Sequence, residues 1–340
     1  MRGKHVAIAV WIILCGAGIA FGQTEWVQWP GGNPIIGPGA PGSWDQGGRW
    51  VSNVVFDGSV YHMWFAGIGL DTNPTDIGHA TSPDGYPPWM MDPTNPVLTR
   101  GAPGEWDASG LVGGGVVYDG ETFHMWYSGG FPGIERAGYA TSPDGSVWIK
   151  DPGNPVVDVG LPGSPDDQVV RPHTVLADSG SFRMWYACRS SDVSYTRICT
   201  AESLDGIVWT KHPEPVLWPA QGWETGTCAP YVVADGSTYH MWYVGTQAPY
   251  FSGGSIGYAT STDGVTWTPY WKNPVMSRQA GDWLFASPVL AEGTTYRMWY
   301  DQWNGDFDQV SYAESTCCDP GLFADDFETG DTSWWSLTVP

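Results

Sequence analysis

The sequence predicts an all-β chain, a five-bladed β-propeller of four-stranded antiparallel blades closed by an N-terminal strand that joins the last blade. Three observations carry this. A strand ending in Met-Trp-aromatic is written five times, with Met63, Met125, Met184, Met241 and Met298 at intervals of 62, 59, 57 and 57 residues, and such a fixed period marks a repeat architecture. Within each copy, short runs rich in β-branched and aromatic residues are joined by Asp-Gly or equivalent turns, the signature of hairpins. Finally, the fifth copy stops after Ser311-Tyr312-Ala313-Glu314-Ser315 with no outer strand, while the chain opens with an orphan Trp29-Pro30-Gly31-Gly32-Asn33-Pro34 segment. A ring of sheets avoids an exposed edge when that orphan completes the last sheet.

Taken in order, the chain divides into three segments. Residues 1–22 read as a secretory signal peptide: Arg2, Lys4 and His5 precede an apolar run from Val6 to Phe21, with Ala20 and Gly22 placed for cleavage before Gln23. The run is too short for a membrane span. The propeller is expected over 23–317. Each unit runs from a Gly-rich loop carrying Trp and an acid into an apolar inner strand, then through an Asp-Gly turn into the Met-Trp strand. A variable loop leads on to Gly-Tyr-Ala-Thr-Ser or its equivalent, and a Ser-x-Asp-Gly turn leads through Trp to Asn-Pro. Residues 318–340 depart from the repeat and hold Asp325, Asp326, Glu328 and Asp331 among Phe323, Phe327, Trp334 and Trp335. They are too few for a core of their own and read as an acidic tail or sorting element.

Charge and cysteines narrow the setting. With 14 basic and 36 acidic residues the formal charge is −22, which repels nucleic acid and anionic membrane surfaces. Neutral or cationic partners and a monomer are expected. Of the cysteines left after cleavage, Cys188 and Cys199 flank one hairpin, so a cross-strand disulfide and buried thiols are both open for them. Cys228, Cys317 and Cys318 have no assigned partner. No Cys/His spacing resembles a zinc site, and no cofactor is expected, although a structural calcium is compatible with the acids.

Most of the conspicuous acids read as architecture. Asp57, Asp119, Asp178, Asp235 and Glu292 sit in tight turns, as do Asp84, Asp144, Asp205 and Asp263, and a tight hairpin turn favours Asp there. Chemistry is expected on the opposite face, where the loops leading into the inner strands carry Asp45, Asp107, Asp167 and Glu224. Those four form the candidate catalytic pool, because converging carboxylates raise one another's pKa as an acid and base pair requires; an equally simple role is holding the loops through backbone amides. Departures from the repeat point to substrate binding by Trp50, Arg171, His173, Arg189, Asp301 and Trp303: rings stack on pyranose faces, and charged groups bond hydroxyls. A structural pairing of Arg171 and His173 with Asp167 is the alternative.

The succession Asn-Pro-Val, Trp-Asp, Asp-Gly, Tyr-x-Met-Trp-Tyr, Gly-Tyr-Ala-Thr-Ser and Ser-x-Asp-Gly-x-x-Trp resembles the five-bladed propeller superfamily of arabinanases, β-xylosidases, invertases and levansucrases. The resemblance implies carboxylates just before the inner strands of the first three blades. At those places this chain has Val51 and Ser52, Gly113 and Gly114, and Arg171 and Pro172. Two function classes therefore stay open: a secreted glycoside hydrolase, or a non-catalytic module that binds an oligo- or polysaccharide. The tail resembles the Phe-x-Asp-x-Phe-Glu-x-Gly-Asp-x-Ser segment found at the ends of many secreted bacterial proteins.

Overall fold

The computed structural model describes residues 25–69, 75–178, 180–219, 222–247, 252–279, 282–285, 288–293, 295–303 and 305–316. The predicted signal peptide, the tail, Cys317 and Cys318 lie outside the described residues. Every named element is a β-strand. No helix among the described residues is long and apolar enough to cross a membrane.

The second repeat folds as Leu111–Tyr118, Phe123–Gly129, Arg136–Ser142 and Ile149–Lys150, a four-stranded antiparallel sheet in chain order. The third repeat (Val169–Asp178, Ser181–Arg189, Arg197–Ser203, Trp209–Lys211) does the same. So does the fourth (Gly226–Asp235, Thr238–Gln247, Ser252–Ser261, Thr268–Pro269). The first repeat (Gly48–Phe56, Tyr61–Ile68, Thr75–Ser82, Met90–Met91) shares one nine-stranded sheet with the fifth. Their link is a single parallel pair, Gly48 with Asp308. Gly48 has φ 141°, and a Cβ there would stand 2.8 Å from the Asp308 backbone nitrogen, so a side chain would force the two strands apart.

The orphan segment does join the last repeat. Val27–Gln28 pairs antiparallel with Asp308–Thr316, Val27 opposite Glu314 and Gln28 opposite Ala313. The Asn of each Asn-Pro explains its recurrence. Asn154 accepts from the Tyr139 backbone N–H and donates to the Tyr139 carbonyl, replacing a missing rung of the ladder, and Asn95 and Asn273 clip His79 and Tyr258 in the same way. Asn33 does so for Tyr312 of the fifth repeat.

Neighbouring repeats are joined by tryptophan. Trp64, Trp126 and Trp185 are fully buried, and each donates its indole N–H to the turn glycine of the following repeat: Gly145, Gly206 and Gly264, at 2.9, 2.7 and 2.9 Å. Each also meets an outer-strand tryptophan of that repeat edge to face, as in Trp64 with Trp148, Trp126 with Trp209 and Trp185 with Trp267. The set is completed by Trp299 against Trp89 of the first repeat and by Trp242 against Trp26 of the N-terminal segment. Trp26 is thus the N-terminal counterpart of the outer tryptophans, while Trp29 stacks on Tyr86. Edge-to-face pairs of this kind contribute about 0.5–1.5 kcal/mol each beyond the area they bury. The inner strands meet one another in order, first to second to third to fourth to fifth, and the fifth meets the first.

The turn acids behave as the sequence predicts. Asp119 accepts from His124 and from the backbone N–H groups of Glu121 and Thr122, which hold its carboxyl down to about 2. Cys188 and Cys199 form a disulfide across the third repeat, with Cα atoms 5.8 Å apart. Cys228 is a buried free thiol.

Candidate functional site

Four inner strands break register at equivalent places: between Val51 and Asn53, Val112 and Gly115, Pro172 and Thr174, and Cys228 and Tyr231. A bulge of this kind bends the strand and re-aims its extra residue. Here the residues at the bulges, Ser52, Gly113, His173 and Ala229, all line one cavity of about 410 Å³. Ala229 has φ 47°, the only positive φ of a non-glycine among the described residues. Such strain clusters at functional sites.

The remaining walls are largely aromatic. Trp50 meets Phe131 edge to face at 5.9 Å, and Trp283 packs on Trp303 at 5.1 Å and on Phe285 at 6.0 Å. All five rings line the cavity together with Arg171, Cys228, Asp301 and Asp308. Just beyond the bulges the inner strands are tied to one another: Asn53 donates to the Gly114 carbonyl and accepts from the Tyr231 hydroxyl, and Thr174 donates to the Pro230 carbonyl. Of the six predicted substrate-binding residues, the structure brings together Trp50, Arg171, His173, Asp301 and Trp303. Arg189 is not among the lining residues.

The polar groups of the cavity differ in how far they are committed. Arg171 is buried and forms a two-pronged ion pair with Glu135, Nε to Oε2 at 2.7 Å and Nη2 to Oε1 at 2.6 Å. Glu135 therefore takes the partner's place that the sequence offered to Asp167. It also accepts from Ser128 at 3.0 Å, and Arg171 lies over the Phe131 ring. His173 presents part of its ring to the cavity but is enclosed by protein. Burial, and then the Arg171 charge, push its pKa down to about 3, so the imidazole is neutral, and its Nε2 has no hydrogen-bond partner. The Cys228 thiol is pushed up to about 11 by burial and stays protonated.

Two acids remain. Asp301 is 1% exposed; its Oδ1 accepts the Val51 backbone N–H at 2.5 Å, and its Oδ2 is buried without a partner. Burial raises its pKa well above the carboxylate range, and Asp308 adds to the rise against the opposing Val51 bond. Asp308 is raised to about 6 by burial. The Trp50 indole N–H moderates that rise without completing a hydrogen bond to it.

The four acids of the predicted catalytic pool lie elsewhere. Asp45 is buried and bound by Arg49 at 2.6 Å and by Ser43. Asp107 takes Lys150 at 2.5 Å and faces the Tyr127 hydroxyl. Glu224 is approached by the Tyr243 hydroxyl. In the third repeat the equivalent position is Asp166, which binds Lys211 and Tyr186, while Asp167 ties its own loop, through Gly163 N–H, to the loop after Ser181–Arg189, through the backbone and hydroxyl of Ser191. None of the four lines the cavity. Sequence reasoning passed over Phe131, Trp283, Phe285 and Glu135. A signal for Trp283 was present: repeats one, two and four read Trp-acid at this place, whereas the fifth reads Asp282-Trp283, which moves the ring onto the strand facing the cavity. Among the described residues no group of three or more His, Cys, Asp or Glu is arranged to hold a metal ion.

Comparison with known proteins agrees with this architecture. A family model described as beta-1,4-mannooligosaccharide phosphorylase matches residues 169–280. An uncharacterized protein of Mycobacterium tuberculosis, Rv1502, is 28% identical over 238 residues, covering 67% of this chain and 77% of that protein. Among solved structures, a glycoside hydrolase superposes with TM-score 0.66 at 17% identity over 86% of this chain and 93% of that one. The beta-1,2-mannobiose phosphorylase of Listeria innocua, in complex with beta-1,2-mannobiose, gives 0.65 at 14% identity over 86% and 96%. A thermostable family-43 glycoside hydrolase gives 0.61 at 20% identity over 78% and 88%. The likeness to these solved structures is one of fold: the chain shares their all-β arrangement over most of its length.

Proposed function

We propose that the chain is a closed five-bladed β-propeller, residues 23–317, that takes a saccharide end in the bulge-lined cavity as a glycosidase-like, carbohydrate-directed protein. Support for closure comes from the five edge-to-face tryptophan pairs, the cyclic packing of the inner strands and the pairing of Val27–Gln28 with the last strand. The observation that carries the functional reading is the meeting of the non-repeated residues Trp50, Arg171, His173, Asp301 and Trp303 at one cavity. A volume of about 410 Å³ lies within the range of small-ligand sites, about 300–1,000 Å³. Its rings offer faces for pyranose stacking, and its few polar groups offer partners for hydroxyls. A catalytic role for Asp45, Asp107, Asp167 and Glu224 is disfavoured by their contacts with Arg49, Lys150, Ser191 and Tyr243, away from the cavity, which leaves any chemistry to the acids that line it.

Export from the cytoplasm is supported by the Cys188–Cys199 disulfide, since such bonds persist in oxidising compartments. The partner is an oligo- or polysaccharide, the protein is a monomer, and no cofactor is required. The test is titration of the 23–340 chain with mannobiose, xylobiose, arabinobiose and their polymers while following tryptophan fluorescence, because Trp50, Trp283 and Trp303 line the cavity. Saturable quenching that is lost in Trp303→Ala supports the reading. No response to any saccharide, or a response unchanged in that variant, counts against it.

A further inference from the structure

The saccharide reading leaves the chemistry of the cavity open, and the two acids of the fifth repeat address it. Asp301 stands opposite Val310 and Asp308 opposite Trp303 on adjacent antiparallel strands. They are therefore diagonal neighbours on one face of the sheet, with backbones about 7–8 Å apart. Acid and base carboxyls that work across a water molecule are spaced about 6.5–9.5 Å, a separation open to side chains that rise from one sheet face at diagonal positions. Both acids line the cavity; Asp301 stands where the other repeats carry Ala66, Ser128, Ala187 and Val244, and Asp308 where they carry Thr75, Glu135, Thr196 and Gly254, of which Glu135 is already paired with Arg171.

From this geometry we infer that Asp301 is the proton donor, and Asp308 the water-activating base, of a glycoside hydrolysis carried out in the cavity. Asp301 is built to donate. Its Oδ1 is occupied by the Val51 N–H, leaving the buried, unpartnered Oδ2 to carry the proton toward a bound oxygen. Burial pushes that carboxyl well above the carboxylate range and so favours its protonated form, while Asp308 is raised only to about 6. Two acids whose surroundings push their pKa values apart take the acid and base roles respectively. The other charged or titratable groups facing the cavity do not compete: Arg171 is held by Glu135, His173 is neutral and Cys228 stays a thiol.

The step balances with water as co-reactant. The Asp301 Oδ2 proton passes to the glycosidic oxygen as the bond from that oxygen to the anomeric carbon breaks, and the electron pair stays on the leaving oxygen. Asp308 takes a proton from a water molecule whose oxygen bonds to the anomeric carbon. Asp301 ends as carboxylate and Asp308 as carboxylic acid, and exchange with solvent resets both.

The inference rests on the cavity being a saccharide site, and the experiment separates the two. Aryl β-mannosides, β-xylosides and α-arabinofuranosides with 4-nitrophenyl, 2,4-dinitrophenyl and 4-methoxyphenyl leaving groups are offered to the wild-type chain, Asp301→Asn and Asp308→Asn. Fluorescence titration of the same sugars runs in parallel. Asp301→Asn keeps a neutral side chain of the same shape, including the oxygen that accepts from Val51, so its melting temperature serves as the folding control. The expected result is sugar binding within about threefold of wild type with release slowed about 10²–10⁴-fold. That loss should be smallest for 2,4-dinitrophenol, a leaving group that needs least protonation, and largest for 4-methoxyphenol. Asp308→Asn should slow all three about equally. A deficit in Asp301→Asn that is the same for every leaving group would reduce Asp301 to a positioning residue and overturn the proposal. So would wild-type binding with no release, which leaves the saccharide site standing. Absence of binding in the wild type removes the site and the chemistry together.

Discussion

Asp45, Asp107, Asp166 and Glu224 occupy the same place in four successive repeats, whereas Asp301 has no acidic counterpart in another repeat and Asp308 has one only, Glu135 of the second. The repeated acids arrive with partners: Arg49, Lys150 with Tyr127, Lys211 with Tyr186, and Tyr243. Where the Met-Trp strand ends in Phe65 instead of Tyr, Asp45 turns to Arg49, which lies over that phenylalanine. The unrepeated acids share the cavity with rings, and between them only Asp301 Oδ1 has a full hydrogen bond, to Val51. A group copied with the fold is stabilised by groups copied alongside it and is thereby spent on structure. A group introduced once is left with chemistry to do, and its desolvation lowers stability wherever it must be charged.

The largest test of this contrast concerns the one cavity charge that did acquire a partner. Replacing Glu135 by Gln leaves the buried Arg171 guanidinium without its counter-charge, and denaturant unfolding should show a loss of about 3–5 kcal/mol. The double variant Glu135→Gln/Arg171→Met should recover most of it, since no charge then stays buried. A Glu135→Gln loss below about 1 kcal/mol would mean that water already solvates Arg171 from the cavity.

Next in size is a pH effect whose sign separates the two classes of acid. Asp308 has a folded pKa of about 6, above the usual carboxylate value of 3.8. The stability it lends is thus fully present below about 4 and is lost as pH rises through about 6, amounting to about 3 kcal/mol at most. Asp308→Asn should remove that decline and be the more stable protein at pH 8. Chemical denaturation at pH 4, 6 and 8 measures it, and parallel curves for the two proteins would place Asp308 in water. By contrast Asp107→Asn, which weakens the hold on half-exposed Lys150 and on Tyr127, should cost about 1–3 kcal/mol at neutral pH and leave saccharide quenching unchanged.

Much of this architecture was legible because a repeat states its own rules. Asn-Pro recurs since its Asn makes the same local bonds at each of its four places, Asn33, Asn95, Asn154 and Asn273. The cavity was legible only through the exceptions, Trp50, Arg171, His173, Asp301 and Trp303. The bulges were not, because an extra residue in an apolar strand such as Leu111–Tyr118 leaves the composition unchanged while turning Gly113 toward the cavity. Nor was the pairing of Arg171 with Glu135, 36 residues away in another repeat. The candidate pool of loop carboxylates erred on Asp167 for a related reason: Asp166 and Asp167 are adjacent, and only the reach of Tyr186 and Lys211 distinguishes the repeat acid from the loop clip.

The smallest predicted effect sharpens the comparison from its structural side. Asp119 sits in the turn before the second Met-Trp strand, largely in solvent, and its pKa is held down to about 2 by His124 and two backbone N–H groups. Its sign is opposite to that of Asp308: the stability it lends is present above about 4 and is lost as pH falls through about 2. Because the side chain is about half exposed, at 52%, solvent screening discounts the gain to under about 1 kcal/mol. Asp119→Asn keeps an oxygen that can accept from Glu121 and Thr122, so the turn should persist and the variant should differ from wild type only in a slightly shallower acid-unfolding transition. Unfolding monitored by tryptophan fluorescence between pH 5 and 1.5 would resolve it. A loss as large as that of Glu135→Gln would show that the turn acids carry more of the fold than their exposure allows, and the division between repeated and unrepeated carboxylates would have to be redrawn around accessibility alone.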